Sequence, residues 1–161
     1  IWSMLGLLVL FGIIGFVDDY VIPKMMPGKR GLGWIPKLAM QVPVAAIPWF
    51  FTSDFGRDGF TATLVVLTVL FFTNAYNFSD GLDGLAGTLL LGIAAFFGGL
   101  GLLKGDPFLV MSGAVLAAGI IPFLYLNAPP AKVFMGDVGA LAIGAVIGHL
   151  FAYVFSRGAV S

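Results

Sequence analysis

The stretch IWSMLGLLVLFGIIGFVDDY, residues 1–20, places an apolar run directly before two aspartates, Asp18 and Asp19. A helix needs roughly 20 mainly apolar residues to cross about 30 Å of hydrocarbon, and this run approaches that length. Over the whole chain 60% of residues are hydrophobic and 10% are charged, which is far from the composition of a soluble domain. The chain is therefore interpreted as a membrane protein.

Further apolar runs of similar length follow the first one. The candidate spans are Ile1 to Val17, Leu38 to Phe51, Thr61 to Phe78, Leu85 to Leu103, Phe108 to Leu126 and Val138 to Phe155. The second run is short and contains Pro43 and Pro48, which should kink or break a helix. The pattern predicts an all-α, polytopic transmembrane helix bundle of about six spans.

The general composition excludes several other classes of protein. There are no cysteines, so disulfides and thiolate metal sites are absent, and a net charge of +0 gives no indication of nucleic-acid binding. The chain begins inside an apolar run without Met or a basic segment. We expect residues 1–161 to be a single transmembrane domain that is incomplete at both ends.

The predicted spans sort the loops onto two faces, because each crossing reverses the side of the membrane. Loops 18–36, 79–84 and 127–137 share one face, and loops 52–59 and 104–106 share the other. Most basic residues lie in or beside the first set, namely Lys24, Lys29, Arg30, Lys37 and Lys132. By the positive-inside rule, this first face is cytoplasmic.

The same parity brings most of the aspartates to the cytoplasmic face. These are Asp18, Asp19, Asp80, Asp83 and Asp137. Asp54, Asp58 and Asp106 fall on the opposite face, where we expect solvated loop residues. Solvation in loops is also the alternative interpretation of each cytoplasmic aspartate.

Asp18 and Asp19 are expected at the C-terminal end of a helix, where the helix dipole disfavours negative charge. A cation should compensate them. The candidates are a divalent metal, which prefers carboxylate oxygens, and the basic residues of the following loop, namely Lys24, Lys29, Arg30 and Lys37.

The segment SDGLDG, residues 79–84, can be interpreted in two ways. Ser79 or Asp80 could cap a helix that has Asp83 in its first turn, or the two carboxylates could belong to a ligand site. The glycines at 81, 84 and 87 favour close approach of the backbone to another helix or to a ligand. These alternatives stay open on local sequence alone.

The segment NAPPAKVFMGDVGALAIG, residues 127–144, places Asp137 where the last helix should begin. Asp137 could cap that helix or bind Mg²⁺ together with phosphate. Phe134 could stack on a base or anchor the chain in the bilayer. The single histidine, His149, lies deep in an apolar run, where helix packing or a polar contact is expected.

Three ordered blocks carry a family resemblance. GFVDDY (15–20), NAYNFSDGLDGLAG (74–87) and NAPPAKVFMGDVGALAIG (127–144) resemble the polyprenyl-phosphate N-acetylhexosamine-1-phosphate transferases, the glycosyltransferase 4 family. The resemblance implies a Mg²⁺-dependent transferase of the bacterial plasma membrane whose active site faces the cytoplasm. The third block is most similar to members that transfer phospho-N-acetylmuramoyl-pentapeptide from UDP to undecaprenyl phosphate, which forms lipid I and UMP. The oligomeric state is left open between a monomer and a homodimer.

The resemblance also implies roles for individual residues. Asp18, Asp19 and Asp80 match catalytic positions, and Asp137 matches the magnesium ligand. Positions that bind the sugar nucleotide are matched by Asn77, Gly81, Leu82, Asp83, Asn127, Phe134 and Lys37. Lys37 follows a loop that departs by about a residue from the family's usual length.

Some features of the family are absent, and other functions are weighed beside it. The family's histidine-rich segment is missing, so the isolated chain is expected to be inactive. A related transferase that uses UDP-N-acetylglucosamine and a cation-coupled transporter are the alternatives. A CDP-alcohol phosphatidyltransferase is disfavoured because Gly87 stands where its motif requires Arg.

Overall fold

The computed structural model describes residues 1–52 and 55–158, which are all-α. Asp54 lies outside the described residues. The helices are α1 (Trp2–Phe16), a π-helical turn (Val17–Val21), α2 (Ile22–Met25), α3 (Trp34–Ala45), α4 (Ile47–Phe51), α5 (Gly59–Ser79), α6 (Leu85–Lys104), α7 (Pro107–Asn127) and α8 (Gly136–Gly158). Within the described residues, five helical segments are long and apolar enough to cross a membrane. The prediction of an all-α polytopic membrane protein is confirmed.

The first span does not end where its sequence predicts. The helix continues through the π-helical turn Val17–Val21 into α2 and ends at Met25. The backbone N–H of Ile22 donates to the Val17 carbonyl, so the wider turn preserves the helical hydrogen bonding. The prediction that Asp18 and Asp19 lie at a helix C-terminus is therefore wrong, because a π turn accommodates them inside a continuing helix.

The proline-containing run, for which a strongly bent helix was predicted, is divided into the two helices α3 and α4. Pro43 lies inside α3, and Pro48 falls in the first turn of α4, where a backbone donor is not needed. The Lys37 ammonium contacts Asp18 at the start of this segment, whereas Thr52 Oγ1 lies 3.0 Å from Ser3 Oγ at its end. Since Ser3 and Asp18 lie at opposite ends of α1, α3 and α4 together traverse the length of α1. Neither helix is among the five described segments that are long and apolar enough to cross a membrane.

The described chain contains two compact units, Ile1–Phe78 with Met135–Ser161 (unit 1) and Ser79–Phe134 (unit 2). The interior of unit 1 is apolar. Its main cluster consists of Leu7, Phe11, Ile14, Ala45, Val69, Leu141 and Ala145, contributed by α1, α3, α5 and α8. Large apolar side chains on the outside, such as Phe71 and Phe78, are exposed as expected for contact with lipid rather than water.

Helix α8 is the central element of unit 1. In its most apolar stretch of 18 residues, 67% of the residues are buried, whereas in the other candidate spans the corresponding share is 33% or less. Glycines allow this close packing. A Cβ on Gly144 would lie 2.7 Å from Thr73 Cα, and one on Gly148 would lie 2.7 Å from Val69 Cα. Small residues let α5 and α8 approach closely where lipid gives no hydrophobic drive for association.

Unit 2 is built around the antiparallel pair α6 and α7. A Cβ on Gly113 would lie 2.5 Å from the Ala94 carbonyl oxygen, and one on Gly101 would lie 2.6 Å from the Val110 nitrogen. The tight connection ends α6 at Gly105, whose φ of 65° is left-handed, and begins α7 at Asp106. Asp106 caps α7 through the backbone N–H groups of Phe108 and Leu109.

Candidate metal and phosphate site

Asp18 and Asp19 are presented by the π-helical turn at the end of α1. In a π turn one extra residue enters the helical repeat, which turns the following side chains relative to a regular α-helix. Asp18 is buried and Asp19 is exposed. Two neighbouring carboxylates in one turn therefore have different environments.

A glycine lets α8 reach this turn. The backbone of Asp137 lies so close to Gly15 that a Cβ on Gly15 would overlap the Asp137 carbonyl group. Asp137 stands in the first turn of α8, and Gly136 before it has a left-handed φ of 64°. The start of α8 is thus fixed against the end of α1, although the two segments are far apart in sequence.

Lys37 joins Asp18 and Asp137. Its ammonium donates to Asp18 Oδ2 at 2.8 Å and also forms a close ion pair with Asp137 Oδ2. The second oxygen of Asp18 accepts a short hydrogen bond from the backbone N–H of Leu32. The loop before α3 therefore closes over Asp18, and Lys37 in the first turn of α3 bridges two carboxylates.

Asp19 completes the group on its exposed side. Its Oδ2 accepts a hydrogen bond of 2.7 Å from the backbone N–H of Asp137. One carboxylate oxygen from each of Asp18, Asp19 and Asp137 lies within 4.8 Å of the other two. We call these three residues the acidic cluster.

The charge of Lys37 is stabilised by the acidic cluster. Burial by itself disfavours the ammonium, but hydrogen bonds to Asp137 and Asp18 and the attraction of their charges outweigh this effect. The pKa of Lys37 is consequently raised above its usual value. Lys37 is therefore positively charged at neutral pH.

The SDGLDG segment differs from its predicted local structure. Helix α5 ends at Ser79, and α6 begins at Leu85 with Gly84 as the N-cap residue at a left-handed φ of 76°. The prediction that Ser79 or Asp80 caps this helix is wrong, as is the prediction that Asp83 lies in its first turn. Because Gly84 adopts a conformation that other residues rarely take, the helix starts later and leaves both aspartates in a turn.

Asp83 and Asn127 hold the loop that follows α7. Asp83 Oδ2 accepts the backbone N–H of Ala131 at 3.0 Å. The buried Asn127 side chain accepts the Gly84 N–H at 2.9 Å and donates to the Val133 carbonyl at 2.8 Å. These bonds tie loop 128–134 to the start of α6, and Pro129–Pro130 within it is a cis peptide.

The remaining candidates divide between the two units. Unit 1 contains Asp18, Asp19, Lys37 and Asp137, together with a half-buried Asn77 near the end of α5. Unit 2 contains Asp80, Gly81, Leu82, Asp83, Asn127 and Phe134. Leu82 and Phe134 present exposed side chains, with exposed fractions of 69% and 66%.

Asp58 and His149, two further polar residues, make contacts that stabilise the fold. Asp58 accepts the backbone N–H and the hydroxyl of Thr61 at the start of α5, and the backbone bond lowers the pKa of Asp58. His149 is buried beside Phe55, with ring centroids 6.1 Å apart. Neither residue lies in the acidic cluster.

Some groups around the acidic cluster were not predicted from the sequence. The Leu32 N–H binds Asp18 through the backbone, and no side-chain pattern identifies such a donor. A Cβ on Gly31 would lie 2.7 Å from Asp18 Oδ1, so the glycines of KRGLG were the available signal. The buried Gln41 accepts from Asn74 at 2.9 Å, one turn along α3 from Lys37.

Comparisons with known proteins all indicate one family of transferases. The family described as glycosyl transferase family 4 matches residues 1–155. Two curated relatives are both called phospho-N-acetylmuramoyl-pentapeptide-transferase. One, from Rhodopseudomonas palustris (strain BisB18), is 31% identical over 93% of this chain and 51% of its own length. The other, from Acetivibrio thermocellus, is 37% identical over 87% of this chain and 47% of its own length.

A third relative with the same name, from Rhodopseudomonas palustris (strain BisA53), is 32% identical over 93% of this chain and 51% of its own length. The chain spans about half the length of the curated relatives it matches. The family match covers nearly all of the chain and includes every member of the acidic cluster. The chain belongs to glycosyl transferase family 4.

Proposed function

We propose that this chain is the core of a transferase that moves phospho-N-acetylmuramoyl-pentapeptide from its UDP carrier to undecaprenyl phosphate. The products are lipid I and UMP, and the pathway is peptidoglycan synthesis. The observation that carries the proposal is the acidic cluster, held by Lys37 and a backbone N–H in a chain of this family. The names of the curated relatives support the choice of sugar nucleotide.

The donor set of the acidic cluster fits Mg²⁺. Carboxylate oxygens are the hard ligands that this ion prefers, and three of them lie within 4.8 Å of one another. Asp137 is the proposed ligand, with Asp18 or Asp19 beside it. When bound, Mg²⁺ would supply positive charge to neutralise the diphosphate, while Lys37 offers a second positive charge.

The reaction requires two anions to meet. An oxygen of undecaprenyl phosphate attacks the phosphorus that carries the sugar, forming a new P–O bond. The bond from that phosphorus to the bridging oxygen breaks, and UMP leaves with the electron pair. Residues that neutralise and orient both phosphates therefore lower the barrier to reaction.

The environments of Asp18 and Asp19 suggest different roles. Asp18 is buried, and both of its oxygens bind Lys37 or the Leu32 N–H. Asp19 is exposed and binds the Asp137 N–H through one oxygen. Asp19 is therefore our candidate to accept a proton from the lipid phosphate, or to act as the nucleophile if the reaction passes through a covalent intermediate.

We assign the nucleotide to the residues of unit 2 that the family resemblance indicates. Asp83 and Phe134 are exposed enough to reach a ligand. Asn127 is 1% exposed and binds backbone groups, so it would act by fixing loop 128–134. Gly81 and Leu82 lie in the same turn as Asp83, while Asp80 and Asn77 are assigned to the phosphates.

We propose that the acidic cluster faces the cytoplasm in a bacterial plasma membrane. Helix α2 carries Lys24 and the loop that follows it carries Lys29 and Arg30, and the positive-inside rule places such basic segments in the cytoplasm. In unit 1 the cluster lies at one end of the spans, whereas the Ser3–Thr52 hydrogen bond marks the other end. A soluble UDP-sugar would reach the cluster from the cytoplasm.

The test is release of UMP by the protein expressed at its natural length in lipid nanodiscs. With undecaprenyl phosphate and Mg²⁺ present, UDP-N-acetylmuramoyl-pentapeptide should give UMP and a lipid-linked product. Turnover only with UDP-N-acetylglucosamine would assign the related transferase instead. Cation-coupled flux across liposomes without UMP release would assign a transporter.

We also propose that residues 1–161 alone do not catalyse the transfer. The chain spans about half of the relatives' length, so much of the substrate pocket would come from residues beyond it. Purified residues 1–161 should form no lipid I under conditions in which the natural-length protein is active. Measurable lipid I from residues 1–161 would refute this proposal.

A further inference from the structure

We infer that Lys37 and a divalent cation compete for the same oxygens of the acidic cluster, so that metal binding releases the Lys37 ammonium towards the anionic substrates. This inference rests on the proposed metal site. Lys37 would then be a positioning residue that exchanges between two partners. It would pair with carboxylates before the metal binds and with phosphate afterwards.

Lys37 occupies positions that a metal ion would need. Its ammonium binds Asp18 Oδ2 and Asp137 Oδ2 simultaneously. The other oxygen of Asp18 is engaged by the Leu32 N–H, and one oxygen of Asp19 is engaged by the Asp137 N–H. A metal bound by Asp18 Oδ2 and Asp137 Oδ2 would therefore have to displace the Lys37 ammonium from both oxygens.

Three carboxylates and one ammonium meet in and beside the acidic cluster. The single ammonium of Lys37 bridges two of the three carboxylates, so the acidic cluster keeps negative charge in excess. Among the described residues, Asp19 has no ion-pair partner. A divalent cation balances such a cluster better than an ammonium does. Repulsion between the metal and the ammonium would then favour movement of Lys37 away from the oxygens that the two cations would share.

The Lys37 side chain can move away from the acidic cluster. Lys37 lies in the first turn of α3, on a flexible side chain whose exposed fraction is 16%. A lysine is a compact point charge on four methylene groups, so its ammonium can move by several ångströms without a shift of the backbone. Release from the carboxylates would free a positive charge beside the phosphates of the substrate.

Binding of Mn²⁺ to the natural-length protein in nanodiscs, followed by electron paramagnetic resonance, tests the inference. Lys37→Met removes the competing ammonium but keeps the chain length, so we expect Mn²⁺ affinity to rise by about tenfold, which corresponds to ~1.4 kcal/mol. Lys37→Arg retains the positive charge and should stay closer to the wild type. Lys24→Met is the matched control, because the Lys24 ammonium lies over the Tyr20 ring rather than on the cluster. It should leave Mn²⁺ affinity nearly unchanged.

A second readout follows Lys37 directly. Saturating Mn²⁺ should increase acylation of Lys37 by an amine-reactive reagent several-fold, measured by mass spectrometry, while acylation of Lys24 stays constant. If Lys37 only holds the cluster together, Lys37→Met would weaken Mn²⁺ binding and the metal would not increase acylation of Lys37. That result would overturn the exchange and leave the metal site intact. Absence of Mn²⁺ binding in both the wild type and Lys37→Met would refute the metal site and the exchange together.

Discussion

Asp18 and Asn127 are both buried polar residues, but different groups satisfy their hydrogen bonds. Asp18 faces a lysine and a backbone N–H, so its charge is balanced inside the protein. Asn127 uses both ends of its amide on the backbone of its own unit. Buried polar atoms are costly unless they are hydrogen-bonded, and both residues satisfy this requirement. The exposed Asp19 is thereby left as the most accessible carboxylate of the acidic cluster.

Replacement of Asn127 should destabilise unit 2. Asn127→Leu keeps a similar volume but leaves the Gly84 N–H and the Val133 carbonyl without their partner. Each lost partner should cost about 1–3 kcal/mol in the free energy of unfolding. Unfolding in mixed detergent micelles measures the change. Tyr125→Phe, at an 85% exposed position of α7, is the control and should unfold like the wild type.

If Asn127→Leu and Tyr125→Phe unfold at the same denaturant concentration as the wild type, the role of Asn127 in fixing loop 128–134 is wrong. A loss of UDP-sugar binding without a loss of stability would instead indicate direct contact with the nucleotide.

Asp80 and Asp83 should differ in their effects on the reaction. Asp83→Ala should weaken UDP-sugar binding, because it removes a nucleotide contact and the bond to the Ala131 N–H. Asp80→Ala should mainly lower turnover, since Asp80 is assigned to the phosphates. Calorimetry gives the Kd of the sugar nucleotide, and UMP release gives kcat. Equal losses of binding in the two variants, with kcat unchanged, would contradict the division.

At the scale of helices, glycine determines which elements meet. Gly15 admits the start of α8 beside the end of α1, and this approach brings Asp137 to Asp18 and Asp19. Gly144 and Gly148 likewise allow α8 to pack closely against α5. The geometry of the acidic cluster therefore depends on packing within the membrane-spanning part of unit 1.

Adding a methyl group at one of these contacts should separate α5 and α8. A Cβ at Gly148 would lie 2.7 Å from Val69 Cα and 3.1 Å from the Thr68 carbonyl oxygen, and backbone atoms cannot easily move away. Gly148→Ala should lower the free energy of unfolding by about 1–3 kcal/mol. Gly12→Ala is the control in α1, because its Cβ would meet no atom closer than 3.8 Å. Equal stability of both variants in mixed micelles would show that the close packing is not required.

The helices could be predicted from the sequence largely because long apolar runs have few alternatives. The limits of α5, α6, α7 and α8 lie within one turn of the predicted runs. The break between α3 and α4 followed from Pro48, which lacks a backbone donor. The π turn was not predicted, because an extra residue in one helical turn leaves no clear trace in the spacing of apolar residues. The apolar run of α6 was predicted to begin at Leu85, but its N-cap was wrongly placed at Ser79 or Asp80, because the conformation of Gly84 decides the cap.

At the scale of the whole molecule, acidic groups distant in sequence meet at one end of unit 1. Asp137 is separated by 118 positions from Asp19, whose carboxylate accepts its N–H. Spacing in a single sequence cannot predict such a contact. Because each predicted crossing reverses the side of the membrane, the sequence predicted a common face for these aspartates. The family resemblance supplied their proposed roles. Lys37 was one of four basic residues predicted as candidates to compensate Asp18 and Asp19, but its bridge from Asp18 to Asp137 came only from the structure.

The central claim is that the acidic cluster is the metal-dependent centre of a phosphosugar transfer. The most direct measurement compares initial rates of UMP release by the natural-length wild type and Asp137→Asn, with saturating Mg²⁺, UDP-N-acetylmuramoyl-pentapeptide and undecaprenyl phosphate. Asp58→Asn serves as the control, because Asp58 only caps α5. The account predicts that Asp137→Asn lowers the rate by about 10²-fold or more, since metal and electrostatic stabilisation of the reacting phosphates is lost. A rate for Asp137→Asn equal to that of Asp58→Asn and the wild type would contradict it.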